Sequence, residues 1–285
     1  MIYGLGAALG WGIADLSAAI SGRRIGALAT LLASQAFAAI LVSSLVIASS
    51  ADLAPLREVL PWLLPSAAVM ATAYFCLYRA LELGPIAVAS PILAAYAVLP
   101  VILAVVLLGE SLSAVVATGI GVTIGGAALA STDLRALRAG IRTRLECLPW
   151  AAAATALFGM GAYVFAWSAK RAGWLPTLWF SRVSITAFVL LSAAFSTRLR
   201  AGGVRALQVP TLSIACLVGL VDLLGAVMYA RGASLGYVSI VSSASATYPI
   251  VPVLGSVLFL RERPAPNQFV GVAFVVAGLL AVGLH

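Results

Sequence analysis

Residues Gly84 to Glu110 read GPIAVASPILAAYAVLPVILAVVLLGE, and residues Gly236 to Glu262 read GYVSIVSSASATYPIVPVLGSVLFLRE. The two stretches lie 236 − 84 = 152 residues apart. The offset holds without a gap from Arg79/Arg231 to Gly126/Gly278. Identical pairs include Gly84/Gly236, Ser90/Ser242, Tyr96/Tyr248, Pro100/Pro252, Glu110/Glu262 and Gly119/Gly271. Thirteen of these 48 positions are identical, and most others exchange one apolar or small residue for another. The period is about half the chain. That is too long for a solenoid and marks a unit duplicated in tandem.

The composition decides the solvent. Hydrophobic residues make up 63% of the 285 and charged residues 9%, against about 25% charged in a soluble globular chain. The chain is therefore expected in lipid. A net charge of +8 could suggest nucleic acid as a partner. Here the basic residues cluster in short turns between apolar runs, which is how membrane proteins fix orientation, so no nucleic acid is expected. Cys76 and Cys216 lie in apolar runs and Cys147 in a turn, which gives no disulfide or metal framework. The start MIYGLGAALGWG has no basic n-region and reads as a helix of the mature protein rather than a cleaved signal.

Crossing the hydrocarbon core takes roughly 20 apolar residues at about 1.5 Å each. Ten stretches qualify: 2–20, 26–48, 60–81, 85–108, 113–131, 148–168, 175–195, 210–232, 237–259 and 265–283. The expected fold is an all-α membrane protein of ten transmembrane helices. One five-helix repeat spans 1–131 and the second spans 148–285. The connection 132–147 carries Arg135, Arg138, Arg142 and Arg144 and reads as a solvated linker, in preference to an amphipathic helix on anionic lipid. Five is odd, so the second repeat must enter the membrane in the opposite sense from the first. Such inverted repeats are typical of secondary transporters, with the substrate site near the midplane between them. A monomer with an internal pseudo-dimer in a lipid bilayer is the expected assembly. In the fifth and tenth helices, Gly121 and Gly125 align with Ala273 and Ala277. This small-xxx-small spacing predicts close packing there.

Candidate functional residues follow from what lipid does not tolerate. Pro91 and Pro100 interrupt the fourth span, and Pro249 and Pro252 the ninth. An interior proline removes a backbone hydrogen bond, and matched interruptions in two halves point to a binding site. Tyr96 and Tyr248 sit one turn before Pro100 and Pro252. Each hydroxyl needs a partner, either in a polar cavity or at a carbonyl freed by the kink. Asp15, Arg182 and Asp222 are the ionisable residues inside the spans. A charge at the bilayer centre costs about 2.5–3.5 kcal/mol on insertion scales. Asp222 is the sharpest case, because it lies at the middle of 210–232; its repeat mate is Met70 (222 − 152 = 70), so the charge belongs to function or pairing and not to the shared scaffold. Arg182 has Gln35 as its mate by the offset of the first helices, the one that pairs Gly12 with Gly159 (182 − 147 = 35). The two are read as a coupling site, where Asp222 exchanges a proton or cation, or as an ion pair that fixes packing. Asp15 lies nearer a helix end and reads as a snorkelling or capping residue. Among the aromatics, Trp62, Trp150 and Trp174 fit the interfacial belt. Trp11, Tyr78, Phe158 and Tyr163 fall deeper and could line a pocket for a flat apolar group. The substrate-binding candidates are thus Trp11, Tyr78, Tyr96, Phe158, Tyr163 and Tyr248. No cofactor or metal is expected.

Three features together resemble the drug/metabolite transporter superfamily in its ten-helix EamA-type branch. They are the start Leu9-Gly10-Trp11-Gly12, its echo Phe158-Gly159, and the pattern from Pro100 through Gly109-Glu110 into a Gly-rich fifth helix, repeated from Pro252 to Glu262. The resemblance covers essentially the whole chain. It implies export of amino acids, other metabolites or drugs across the cell's inner (plasma) membrane. The aromatic residues look most like those of an exporter of aromatic and other amino acids. A drug or cation exporter of the same fold is the alternative.

Two further classes have weaker grounds. A serine-type intramembrane protease needs a histidine base, and the single histidine is His285. An aspartyl type needs two facing carboxylates, and Asp222 follows Gly-Leu-Val rather than Gly-x-Gly. A selective channel shows rings of charge or a carbonyl filter, and neither is visible. No phosphate loop is evident. The basic residues and the resemblance give opposite indications about orientation. With the N-terminus outside, 12 of them fall in inner loops and 4 in outer loops, which puts both termini outside; the resemblance implies both inside.

Overall fold

The computed structural model describes residues 1–83, 92–93, 95–132, 134, 145–194, 209–248, 250–251 and 265–283. Among them are ten α-helices and no strand. In chain order they are α1 (Ile2–Ile25), α2 (Ala27–Ser49), α3 (Leu56–Leu83), α4 (Val98–Leu108), α5 (Ala114–Ser131), α6 (Leu148–Ala172), α7 (Trp174–Ala194), α8 (Val209–Leu235), α9 (Val238–Ser245) and α10 (Pro266–Gly283). Six of these, α1, α2, α3, α6, α7 and α8, contain stretches long and apolar enough to cross a membrane. Shorter apolar helices occupy 95–108, 114–130 and 266–282. Pro91, Pro249, Pro252, Glu262 and most of the linker lie outside the described residues.

The turns repeat as the helices do. α1 passes to α2 through Gly26 alone, and α6 to α7 through Gly173 alone. Both glycines have φ 86, with ψ 155 and 153. That corner of backbone space is open essentially only to glycine, so two abrupt reversals are encoded by one residue type 147 positions apart.

Packing crosses between the halves. α1 lies on α8 and α3 on α6, α2 meets α7, and α1 meets α9 as α6 meets α4. Exchanging the halves maps this set of contacts onto itself. α5 and α10 form a further close pair. Glycines make it, though not the expected ones. A Cβ built on Gly119 would lie 2.9 Å from the Gly278 carbonyl oxygen, and one on Gly126 would lie 2.8 Å from the Val275 nitrogen. Gly271 and Gly278 meet the α5 backbone in return. Gly121 and Gly125 have nothing within 4 Å. The spacing that packs is therefore seven residues, two helical turns, rather than four. It uses Gly119/Gly271 and Gly126/Gly278, the positions the repeat keeps identical.

Glu110 ties the first half to the second. Its carboxylate is buried and sits at the start of α9. It accepts from the Val238 nitrogen at 2.8 Å, the Ser239 nitrogen at 3.2 Å and the Ser239 hydroxyl at 2.6 Å. Lys170 of α6 donates to it at 3.3 Å. An anion here satisfies backbone donors that the first helical turn leaves unpaired, and meets the positive end of the helix dipole.

Candidate functional site

The fourth and ninth segments change character where their tyrosines sit. Tyr96 lies in a 3₁₀ turn, Ala95–Ala97, that leads directly into α4. Pro100 falls in the first turn of α4, where a missing N–H costs little. Beyond α9 the chain tightens in the same way. Thr247, Tyr248, Ile250 and Val251 each donate to the residue three back, at 3.0–3.3 Å. Both tyrosines thus ride on non-α backbone at matched positions. The opposite half contacts each break through a glycine. A Cβ at Gly12 would lie 2.6 Å from the Tyr248 carbonyl oxygen, and one at Gly159 would lie 2.9 Å from that of Tyr96.

Between the halves lies a cavity of about 100 Å³, room for several waters on a scale where one needs roughly 10–15 Å³. Both halves line it. α1 supplies Trp11 and Asp15, α3 Tyr74 and Tyr78, α6 Phe158 and Phe165, α7 Arg182, and α8 Asp222 and Tyr229. Tyr96 and Tyr248 complete the wall. The rings form two groups, one around Trp11 and one around Tyr74. Trp11 lies 6.3 Å from Tyr96 and 5.4 Å from Tyr229, Tyr74 lies 5.0 Å from Phe158, and Tyr96 lies 6.3 Å from Tyr248.

One side of this wall is charged. Arg182 donates to Asp222 at 2.6 Å, to the Gln35 amide oxygen at 2.9 Å and to the Tyr74 hydroxyl at 3.1 Å. The Tyr74 hydroxyl also lies within donating distance of both Asp222 oxygens, at 3.2 and 3.3 Å. Arg182 and Asp222 are 3% and 4% exposed. Burial at that level makes each charge costly without the other. Thr186 donates to the Gln35 carbonyl oxygen at 3.0 Å and so holds α2 against α7 beside the pair.

The tyrosine partners differ. Tyr96 shares a hydrogen bond of 2.5 Å with the Ser245 hydroxyl of the other half. The position matching Ser245 is Leu93 (245 − 152 = 93), which has no hydroxyl to offer. Among the described residues Tyr248 makes no side-chain hydrogen bond, and it lines the cavity.

Two family-model matches, to residues 1–132 and 147–284, carry the description EamA-like transporter family. The chain belongs to that family. It is a multi-pass membrane protein of the drug/metabolite transporter type. A solved protein crystal structure superposes on it with a TM-score of 0.76 at 18% sequence identity, covering 99% of this chain and 96% of the other. At that identity the likeness is one of fold. Comparison with the curated proteins gives no match.

Of the candidate residues in this EamA-like chain, the cavity gathers Trp11, Tyr78, Tyr96, Phe158, Tyr248, Arg182 and Asp222. Tyr163 is not among its lining residues; Ala162 and Phe165 of the same helix are. The reading of Asp15 as a snorkelling or capping residue is corrected. It is 7% exposed and lines the cavity, one helical turn from Trp11, because α1 runs to Ile25 and places Asp15 well inside the helix. Tyr74 and Gln35, which hold the ion pair, were not among the candidate site residues. The signal for Gln35 was available: it is a polar residue inside an apolar run and the repeat mate of Arg182.

Proposed function

We propose that this EamA-like transporter is a secondary exporter that moves amino acids with aromatic side chains, and related small metabolites, by alternating access. The cavity is the observation that carries this reading. It lies between the halves, is walled by aromatic rings from both, and holds charges of both signs. An aromatic side chain would stack among Trp11, Phe158, Tyr96 and Tyr248, while its ammonium and carboxylate would meet carboxylate and guanidinium. Alternating access is supported by the count of five helices per half, as expected of inverted repeats, and by helix breaks at Tyr96 and Tyr248, the features such carriers use around a central site. The exporter works as a monomer in the inner (plasma) membrane. On the count of basic residues both its termini lie outside; a reporter fused after His285 that is active only in the cytoplasm would reverse that orientation.

A second reading, a drug or cation exporter, is favoured by one observation. The lining holds two carboxylates, Asp15 and Asp222, and one guanidinium, Arg182. Flux in proteoliposomes separates the two. The exporter reading expects saturable tryptophan flux competed by phenylalanine. If no amino acid shows saturable flux while tetraphenylphosphonium does, the cation reading replaces it.

A further inference from the structure

The two ends of the bundle are held differently. α1 and α9 run side by side in the same direction, with Gly4 near Val241 and Ala244, and Gly12 near Tyr248 and Val251. The start of α9 therefore lies at the end that carries Met1. There the Glu110 carboxylate, just past α4 of the first half, gathers donors from the second half: the Val238 and Ser239 nitrogens, the Ser239 hydroxyl and Lys170. In sequence the repeat supplies the same parts once more. Glu262 matches Glu110, and Arg23 matches Lys170 (170 − 147 = 23). Ile86 and Ala87 match Val238 and Ser239 (238 − 152 = 86, 239 − 152 = 87). Glu262, Ile86 and Ala87 lie outside the described residues. One donor is missing from this second set, because alanine has no hydroxyl.

A second contrast separates the ends. Ser21 and Thr30 flank the Gly26 turn, and their hydroxyls share a hydrogen bond of 2.9 Å. Ser168 and Thr177 stand at the matching places around Gly173 (168 − 147 = 21, 177 − 147 = 30) and are as fully buried. Their hydroxyls meet no partner among the described residues. A buried hydroxyl left unpaired is costly. The two glycine turns have nearly the same backbone angles, so the bond made at Gly26 is within reach at Gly173. The Met1 end thus combines strong bonds at Glu110 with unmet hydroxyls two residues from Lys170. We infer that Glu110 is the latch that holds the Met1 end of the cavity shut, that Glu262 closes the opposite end in alternation with it, and that Ser239 biases the pair toward Glu110. When the latch opens, the start of α9 leaves Glu110, Lys170 moves with the end of α6, and Ser168 meets Thr177. The inference rests on the alternating access proposed above and names the contacts that hold one of its two states.

The test measures both ends of the full chain in lipid nanodiscs by double electron–electron resonance. Cys76, Cys147 and Cys216 are replaced by alanine. One spin-label pair, Ala114→Cys with Arg171→Cys, spans the latch at the Met1 end. Its repeat mate, Pro266→Cys with Arg24→Cys, spans the other end, and all four positions are exposed. Glu110→Gln should lengthen the first distance and shorten the second. Ser239→Ala should shift both in the same sense, raising the open-to-closed ratio at the Met1 end about tenfold, as the loss of one hydrogen bond to a charged group implies. Glu262→Gln should shift both the opposite way. A loss of packing alone would broaden the two distances without opposed shifts. A folded Glu110→Gln in which neither distance moves, or in which both lengthen, overturns the inference. If Glu110→Gln fails to fold, Ser239→Ala decides, and an unchanged ratio there overturns it. If the opposed shifts appear but no amino acid or organic cation shows saturable flux, the exporter reading falls and the latch stands. Saturable flux with unmoved distances sinks the latch and leaves the exporter reading intact.

Discussion

The two halves of the cavity wall repeat in backbone and differ in charge. Gly12 against Tyr248 has its counterpart in Gly159 against Tyr96, and Gly26 has its counterpart in Gly173. These pairs bring helices into contact and turn the chain. The two lining carboxylates and Tyr74 have no such echo. Asp15 stands opposite Ala162 (15 + 147 = 162), Asp222 opposite Met70 and Tyr74 opposite Ala226 (74 + 152 = 226), and all six line the same space. Duplication built a symmetric frame. Departures from the symmetry then gave one side of the frame its chemistry.

The largest expected effect comes from breaking the charged side. Removing one partner of a buried ion pair costs about 3–5 kcal/mol. Arg182→Met should therefore lower thermal stability sharply, and Asp222→Asn alone should lower it less, because Asn still accepts a hydrogen bond. The double variant Asp222→Asn with Arg182→Gln should recover most of the loss. Thermal unfolding of the four purified proteins reads this directly. If the double variant is no more stable than Arg182→Met, the pair is not the element that tolerates burial only as a unit.

A smaller effect is expected in the symmetric frame, where space rather than charge decides. Overpacking a close interface costs about 1–3 kcal/mol. Gly126→Leu or Gly271→Leu should destabilise by that order, since both glycines face the partner backbone within van der Waals distance. Gly121→Leu should leave stability unchanged, since a Cβ there meets nothing within 4 Å. Equal effects at Gly121 and Gly126 would mean that α5 and α10 do not pack as described.

The duplicated frame was legible because lipid leaves few options. Apolar runs of spanning length must be helices, and an offset of 152 residues is visible without any structure. The break at Tyr96 lies just ahead of Pro100, a residue that marks the fourth run in the sequence, while Pro91, Pro249 and Pro252 lie outside the described residues. Asp15 was not legible, because its helix extends five residues beyond the apolar run 2–20, through Arg23 and Arg24 to Ile25. A helix end inferred from hydropathy moved a buried residue toward the interface. The face of α5 was misjudged for another reason. Gly121 and Gly125 match the familiar four-residue spacing, but which face meets a partner depends on rotation about the helix axis, and composition does not carry that angle. The identity of Gly119 with Gly271 and of Gly126 with Gly278 did carry it.

The finest test of the comparison lies in one hydroxyl. Tyr96 and Tyr248 are identical residues at matched positions, and both are buried in the cavity wall. Tyr96 bonds Ser245, whereas Leu93 occupies the matching place opposite Tyr248. A net hydrogen bond contributes about 1 kcal/mol. Tyr96→Phe should lose roughly that much stability, because the Ser245 hydroxyl loses its cross-half partner. Tyr248→Phe should lose none, because its hydroxyl makes no bond within the described protein. Substrate flux should divide the other way. The hydroxyl of Tyr248, unbonded among the described residues, faces the cavity, so Tyr248→Phe should raise the KM for transport severalfold, while Tyr96→Phe with its ring in place should change KM little. Thermal unfolding and initial-rate flux on the two variants give both readouts. If both variants lose the same stability and the same flux, the two tyrosines are symmetric in function as well as in sequence, and the asymmetry of the cavity rests on its charges alone.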